Sequence, residues 1–239
     1  SLVALATSAS RDAENSDVFV DRLRDIGVEL SVIPGSREAE LSFLGASNDF
    51  RGEDILFADI GGGSTELAFG RAYGPAESVV PKIELRASRS FDIGCRRMTE
   101  RFLKSDPPSE CELAQARAWA LETLAPFFEG ESIHFDRLVA VAGTPTSVVA
   151  VRDSLVPYDS YCVHKTVVAR EEFDDVARRL CALPLEKRKK VAGIQPKRAG
   201  VFPAGVVILD AVMSLAKVDG FTASESDILI GIVLDALRS

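Results

Sequence analysis

Between two short apolar runs, Ile55-Leu56-Phe57-Ala58 and Leu67-Ala68-Phe69, the chain carries Asp59-Ile60-Gly61-Gly62-Gly63-Ser64-Thr65-Glu66. Short continuous apolar runs suit strands buried on both faces, so the stretch predicts strand, tight turn, strand. Three successive glycines cost backbone entropy on folding, and a bare hairpin normally uses one or two. The extra ones leave a backbone whose amides can form a concave nest and approach an anion with no Cβ in the way. Ser64 and Thr65 add hydroxyl donors. Asp59 and Glu66 set a carboxylate at each end of the turn, which suits a hard cation bridging to phosphate oxygens. The plainer alternative is a glycine-rich hairpin with two solvated acids.

Two better-known glycine loops are excluded by inspection. No Gly-x-x-x-x-Gly-Lys-Ser/Thr occurs in the chain. The place three residues after Gly63 is held by Glu66 rather than glycine, and no helical pattern follows, as a dinucleotide fingerprint requires. The turn is a phosphate loop of another design.

A chain of 239 residues with 46% hydrophobic content can build a sizeable core as one domain or two small lobes. Its net charge of −8 argues against general nucleic-acid or anionic-membrane binding. Cys95, Cys111, Cys162 and Cys181 show no Cys-x-x-Cys pairing, and His134 and His164 complete no zinc constellation. Buried free thiols in a reducing cytoplasm are the expected state. No apolar run approaches the roughly 20 residues of a membrane span, and no signal-peptide pattern is visible. Val3-Ala4-Leu5-Ala6 reads as a strand with almost nothing before it, which suggests a preceding segment.

Asp-Ile-Gly-Gly-Gly-Ser-Thr-Glu resembles the second phosphate-binding hairpin of the Ppx/GppA family, exopolyphosphatases and guanosine pentaphosphate phosphohydrolases of the actin-like ATPase superfamily. The likeness extends over nearly the whole chain. Ala6-Thr7-Ser8-Ala9, then Arg11-Asp12-Ala13, is similar to a family motif whose arginine contacts phosphate, here Arg11. Ser36-Arg37-Glu38-Ala39 starts a helix where the family has Gly-x-Glu-Glu-Ala-Arg, and its catalytic glutamate falls on Glu38, 21 positions before Asp59. Arg37 replaces the first glutamate of that motif and Glu40 replaces the arginine. Without the resemblance, Glu38 reads as a first-turn acid compensating the helix dipole.

Further along, Ser78 to Phe91 reads as extended. Phe91-Asp92-Ile93-Gly94-Cys95-Arg96-Arg97-Met98-Thr99-Glu100 resembles the family's strand-into-helix segment. Glu110 to Ala125 has helical periodicity with Pro126 as the stop, and Trp119 reads as packing. Arg137 to Ala142 predicts a buried strand running into Gly143-Thr144-Pro145. There Ala142 and Pro145 stand at or beside the glycine positions of related nucleotide-binding turns. His164 reads as structural. Glu186-Lys187-Arg188-Lys189-Lys190 reads as a solvated helix face. Phe202 to Leu215 predicts a buried helix and Phe221 to Ser224 a last strand. In Glu225-Ser226-Asp227-Ile228-Leu229-Ile230-Gly231 the family's arginine and glutamate are lost.

The alternation of elements predicts an α/β fold: a ribonuclease-H-like lobe with a mixed sheet and flanking helices, plus the tail of a second lobe. Residues 1–47 are expected to be the end of the first lobe and 48–239 the second, with 225–239 packing back on the first. The resemblance implies Mg²⁺-dependent hydrolysis of a phosphoanhydride bond, with inorganic polyphosphate as substrate in preference to guanosine pentaphosphate. A nucleotide-binding kinase and a non-catalytic polyphosphate or alarmone sensor are the rivals. Glu38 would be the general base; Arg11, Gly61, Gly62, Gly63, Ser64 and Thr65 would bind phosphate; Asp59 and Glu66 would hold the metal. Arg96, Arg97, Lys197 and Arg198 are further candidates for chain binding. A homodimer is compatible with this reading.

Overall fold

The computed structural model of the protein describes residues 2–7, 15–75, 77–129 and 134–238. Strands β3 (Asp54–Ile60), β4 (Thr65–Tyr73) and β5 (Lys82–Phe91) form an antiparallel meander. β6 (Arg137–Val141) runs parallel to β3, β8 (Gly220–Ala223) runs parallel to β6, and β7 (Val167–Ala169) is antiparallel to β8. The six-stranded order is β5-β4-β3-β6-β8-β7. The carboxyl ends of the parallel strands β3, β6 and β8 therefore meet at one edge of the sheet, where open α/β sheets bind ligands. β1 (Ala4–Ala6) and β2 (Leu30–Val32) form a separate parallel pair, linked through helix α1 (Ser16–Asp25), and Gly27 follows at φ +80° as the helix stop.

Strand alternation divides the core in two. Leu56, Ala58, Ile60 and Leu67 face the larger cluster, formed with α3 (Cys95–Phe102), α4 (Glu110–Phe128), α5 (Gly143–Arg152), and three more helices. Those are α6 (Ser160–Val163), α7 (Arg170–Cys181) and α9 (Phe202–Ala216), while α8 (Leu185–Arg188) lies at the margin. Ile55, Phe57 and Ala68 face the other way, onto Phe43 and Ala46 of α2 (Gly35–Ser47). α10 (Ile228–Ala236) lies across α2. At that crossing a Cβ on Gly45 would sit 2.1 Å from the Asp227 carbonyl oxygen, and one on Gly231 would sit 1.8 Å from that of Leu41. Both positions must be glycine for the two backbones to approach this closely.

The mixed α/β architecture matches the expectation from sequence. Some boundaries differ. Pro126 does not stop α4, which continues to Phe128; the proline gives up the N–H that would bond back to the Glu122 carbonyl, and the helix ends two residues later. The extended stretch begins as a strand at Lys82, just after Pro81, rather than at Ser78. The basic run at 186–190 is no solvated face throughout. Arg188 is 2% exposed, and its guanidinium donates to the carbonyls of Leu180, Leu183 and Ala199. Trp119 packs on Phe102, ring centroids 5.2 Å apart. Among the described residues no helix is long and apolar enough to cross a membrane.

Candidate functional site

Asp59 is the last residue but one of β3 and Glu66 the second of β4, and the antiparallel register sets them directly opposite each other. Alternation puts both on the face that carries Phe57 and Ala68, which α2 covers. α2 begins after Pro34, whose extended backbone ends the preceding stretch, and its first turn supplies the buried Glu38. One turn on, the Ser42 hydroxyl donates to Asp59 Oδ2 at 3.3 Å. Ser90 on β5 donates to Glu66 Oε1 at 2.7 Å, and the Ser64 hydroxyl bonds to the same carboxylate. Three carboxylates thus share one small space.

Burial, then the charges of Asp227 and Glu38, push the Asp59 carboxyl up to about 7. Burial, then Asp59 and Glu38, push Glu66 up to about 8. The serine hydroxyls pull both in the opposite direction and do not win. Desolvation and like charges both disfavour the ionised form, so the pair is poised to accept a cation or a proton at neutral pH.

The glycine turn is braced from outside. The Gly61 amide donates to the Ser64 carbonyl at 3.0 Å and closes the turn. Amides of Cys95 and Arg96, in the first turn of α3, donate to the carbonyls of Gly61 and Gly62, each at 2.9 Å. Arg97 Nε donates to the Gly63 carbonyl at 3.0 Å. In a trans peptide the C=O and the following N–H point opposite ways. Fixing the carbonyls of residues 61, 62 and 63 toward α3 therefore turns the amides of Gly62, Gly63 and Ser64 away from it. Amides turned this way suit an anion nest, displaced by one residue from the one the sequence suggests, because the Gly61 amide is already used. Gly94 makes the bracing possible: a Cβ there would lie 2.4 Å from the Gly62 carbonyl oxygen.

Glu38, Asp59, the glycine turn, Ser64 and Glu66 line one cavity of about 470 Å³, with Arg96 and Arg97 at its margin. Thr65 is not on it. Its side chain is fully buried and its hydroxyl donates to the Ile93 carbonyl at 2.6 Å, tying the hairpin to the start of α3. Arg11 lies outside the described residues. Sequence reasoning missed Ser42 and Ser90. Ser42 stands four residues after Glu38 and so on the same helix face, a signal that could have found it. Ser90 is found only through the β4–β5 register, which sets it opposite Glu66.

A second cavity of about 240 Å³ shares Gly61 and Gly62 with the first. Its walls include Ile60, Ala142, Gly143, Phe202 and Arg198. Ala142 takes φ 71°, ψ −166°, a glycine-like conformation, at the entry to α5. The Arg198 guanidinium packs over Gly143, where a Cβ would lie 1.7 Å from Nη1.

A model of the Ppx/GppA phosphatase family matches residues 1–239. Exopolyphosphatase 2 of Mycobacterium tuberculosis is 36% identical over an alignment of 243 residues, covering 96% of this chain and 73% of that protein. Guanosine-5'-triphosphate,3'-diphosphate pyrophosphatase of Vibrio vulnificus is 28% identical over 238 residues, covering 98% of this chain and 44% of the relative. The crystal structure of the Aquifex aeolicus member of the Ppx/GppA family superposes with a TM-score of 0.85 at 27% identity. That superposition covers 99% of this chain and 74% of the other.

Proposed function

The chain belongs to the Ppx/GppA phosphatase family, and from that premise we propose that it is an exopolyphosphatase, releasing orthophosphate from the end of inorganic polyphosphate. The observation that carries the reading is the convergence of Glu38, Asp59, Glu66 and the glycine turn on one cavity. The amides of Gly62, Gly63 and Ser64 hold oxygens of the terminal phosphoryl group as charge spreads over them in the transition state. Glu38 takes a proton from water as its oxygen bonds to the terminal phosphorus, and the bridging P–O bond breaks on the far side. The shortened chain leaves with the bridging oxygen.

Two carboxylates opposed across a ladder suit a divalent cation that takes its other oxygens from phosphate and water, as Mg²⁺ does. Among the described residues no cluster of three or more acidic, histidine or cysteine side chains could form an all-protein cage. Asp59 and Glu66 would hold Mg²⁺, which supplies charge neutralisation for the phosphate oxygens. Arg11 would add a cation to the same phosphates. The four cysteines are free thiols, in keeping with a reducing cytoplasm, but Cys111 and Cys162 are exposed rather than buried as the sequence suggests.

Guanosine pentaphosphate is the second reading. The apolar wall of the neighbouring cavity, with Ile60, Val201 and Phe202, favours it. Arg198 over Gly143, at the entry to that cavity, favours a chain of phosphates. Orthophosphate release from long polyphosphate, guanosine pentaphosphate and ATP, compared as kcat/KM, tests the choice. Polyphosphate is expected to be the best of the three; a higher constant for pentaphosphate would reverse it. Release from none of them would end the phosphohydrolase reading.

A further inference from the structure

Glu38 sits in a first helical turn that its own helix does little to hold. α2 starts at Gly35 behind Pro34, which has no side-chain oxygen to cap it. Gly35 and Ser36 are poor helix formers. The amides of Arg37 and Glu38 both donate to the one Pro34 carbonyl, each at 3.0 Å. Asp59 and Glu66 face Glu38 in the same cavity, and the charge they carry pushes this turn outward. A turn built in this way frays unless something outside it holds it.

What lies outside is α10, which runs antiparallel to α2. Gly45 lies against the Asp227 carbonyl, Leu41 gives its carbonyl to the face of Gly231, and Arg37 meets Asp235. Both helices advance by one i±4 step from each contact to the next, so one ridge is laid along the other. The last contact in this row is between side chains, and it falls beside Glu38. There Arg37 Nη2 donates to Asp235, and Nη1 donates to Glu40 Oε2 at 2.7 Å. A planar guanidinium held at both arms is a fixed strut and not a mobile surface charge.

Each of the two main partners stands at the wrong end of its own helix. Arg37 is a cation in the first turn of α2, and Asp235 is an anion in the last turn of α10. Both helix dipoles oppose these charges. The side chains are 35% and 33% exposed, and ion pairs open to water contribute little to global stability. What such a contact does fix is the register of one helix against the other.

We propose that Arg37 and Asp235 are positioning residues, whose ion pair pins the first turn of α2 to α10 and sets the depth of Glu38 in the reaction cavity. Neither touches substrate. The consequence for turnover rests on the exopolyphosphatase reading, which gives Glu38 its role; the pin itself rests on the packing of the two helices. A slip of one residue along the row moves Glu38 by about 1.5 Å, and a misplacement of about 1 Å at reacting atoms costs up to about 10²-fold in rate.

The experiment compares the wild type with Arg37→Gln, Asp235→Asn, the double variant and Asp235→Glu. Amide hydrogen exchange at residues 37 and 38 reads the first turn directly, with residues 41–47 of the same helix as the internal reference. Steady-state phosphate release from long polyphosphate reads the consequence. Asp235→Asn is expected to speed exchange in the first turn about tenfold relative to the reference. It should lower kcat about five- to fiftyfold while KM stays within about twofold. Asp235→Glu, which keeps the charge, should leave both readouts near the wild-type values. The double variant should lose no more than the worse single one, as for two partners in one contact. First-turn exchange unchanged in both single variants would overturn the pin, whether or not the protein releases phosphate. Faster exchange at unchanged kcat, or a rise in KM as large as the fall in kcat, would overturn the positioning role. If the wild type releases no phosphate while exchange responds as expected, the exopolyphosphatase reading falls and the pin stands. If it hydrolyses polyphosphate and exchange does not respond, the pin falls and that reading stands.

Discussion

Asp59 and Glu66 face each other across the β3–β4 ladder, and after burial the Asp59 charge is the next cause that holds the Glu66 carboxyl above its ordinary range. Like charges directly opposite in a sheet destabilise it, so the glycine turn is built on a local penalty. Relief requires a proton or a cation, and this makes the hairpin sensitive to both.

The first prediction concerns pH and metal. Asp59 and Glu66 have folded-state values of about 7 and about 8, above the ordinary carboxylate range. The folded form therefore binds more protons than the unfolded form between about pH 4 and 8. Their contribution to stability is full at low pH and is lost as pH rises through those values. In metal-free buffer the Tm should fall from pH 5.5 to 8.5 more steeply in wild type than in Glu66→Gln. Mg²⁺ should raise the Tm more at pH 8.5 than at pH 5.5. Parallel pH profiles for the two proteins would contradict the electrostatic account.

Glu38→Gln should lower turnover roughly 10²- to 10⁴-fold with little change in KM, because the amide cannot take the proton from water. The check is steady-state phosphate release on long polyphosphate, with a matching circular dichroism spectrum to establish the fold. Turnover within threefold of wild type would remove Glu38 from the role of base.

Thr65→Val should behave as a structural variant and not as a binding one. The substitution keeps the volume but leaves the Ile93 carbonyl without its hydroxyl donor in a buried site. Such a loss costs about 1–3 kcal/mol. Urea unfolding should show that loss while KM for tripolyphosphate stays near the wild-type value. A large rise in KM at unchanged stability would return Thr65 to the phosphate site.

Ala142→Gly should stabilise the protein. The alanine holds a positive φ that only glycine adopts freely. The relief of about 1–3 kcal/mol exceeds the roughly 0.4–1 kcal/mol that glycine adds in unfolded-chain entropy. A shift of the urea midpoint to lower concentration would show that the conformation costs alanine nothing there.

The central hairpin was legible because its information is local: two apolar runs, a glycine turn and two acids at fixed spacing. Glu38 was legible only through its motif, since a first-turn glutamate has no distinguishing periodicity. Arg37 and Glu40 were read as two separate departures from that motif. The structure joins them, because Arg37 Nη1 lies 2.7 Å from Glu40 Oε2, an ion pair one helical turn long with its charges exchanged relative to the family pattern. The duty of Thr65 was not legible, because a hydroxyl next to glycines looks the same whether it faces a phosphate or a carbonyl. The burial of Arg188 was hidden for a related reason. A guanidinium satisfied by three backbone carbonyls leaves no complementary residue type in the sequence to point to it.

The crossing of α2 and α10 bears on how the molecule reaches its working state. Gly45 and Gly231 let the two backbones touch, and Arg37 is hydrogen-bonded to Asp235, 198 positions later in the chain. Contacts this distant in sequence form only after the intervening loop has closed, and folds rich in them assemble slowly. The helix that carries Glu38 thus depends for part of its support on contacts that close nearly the whole chain. In a refolding experiment, native-like circular dichroism should return before phosphate release does, with the interval between them set by the docking of α10.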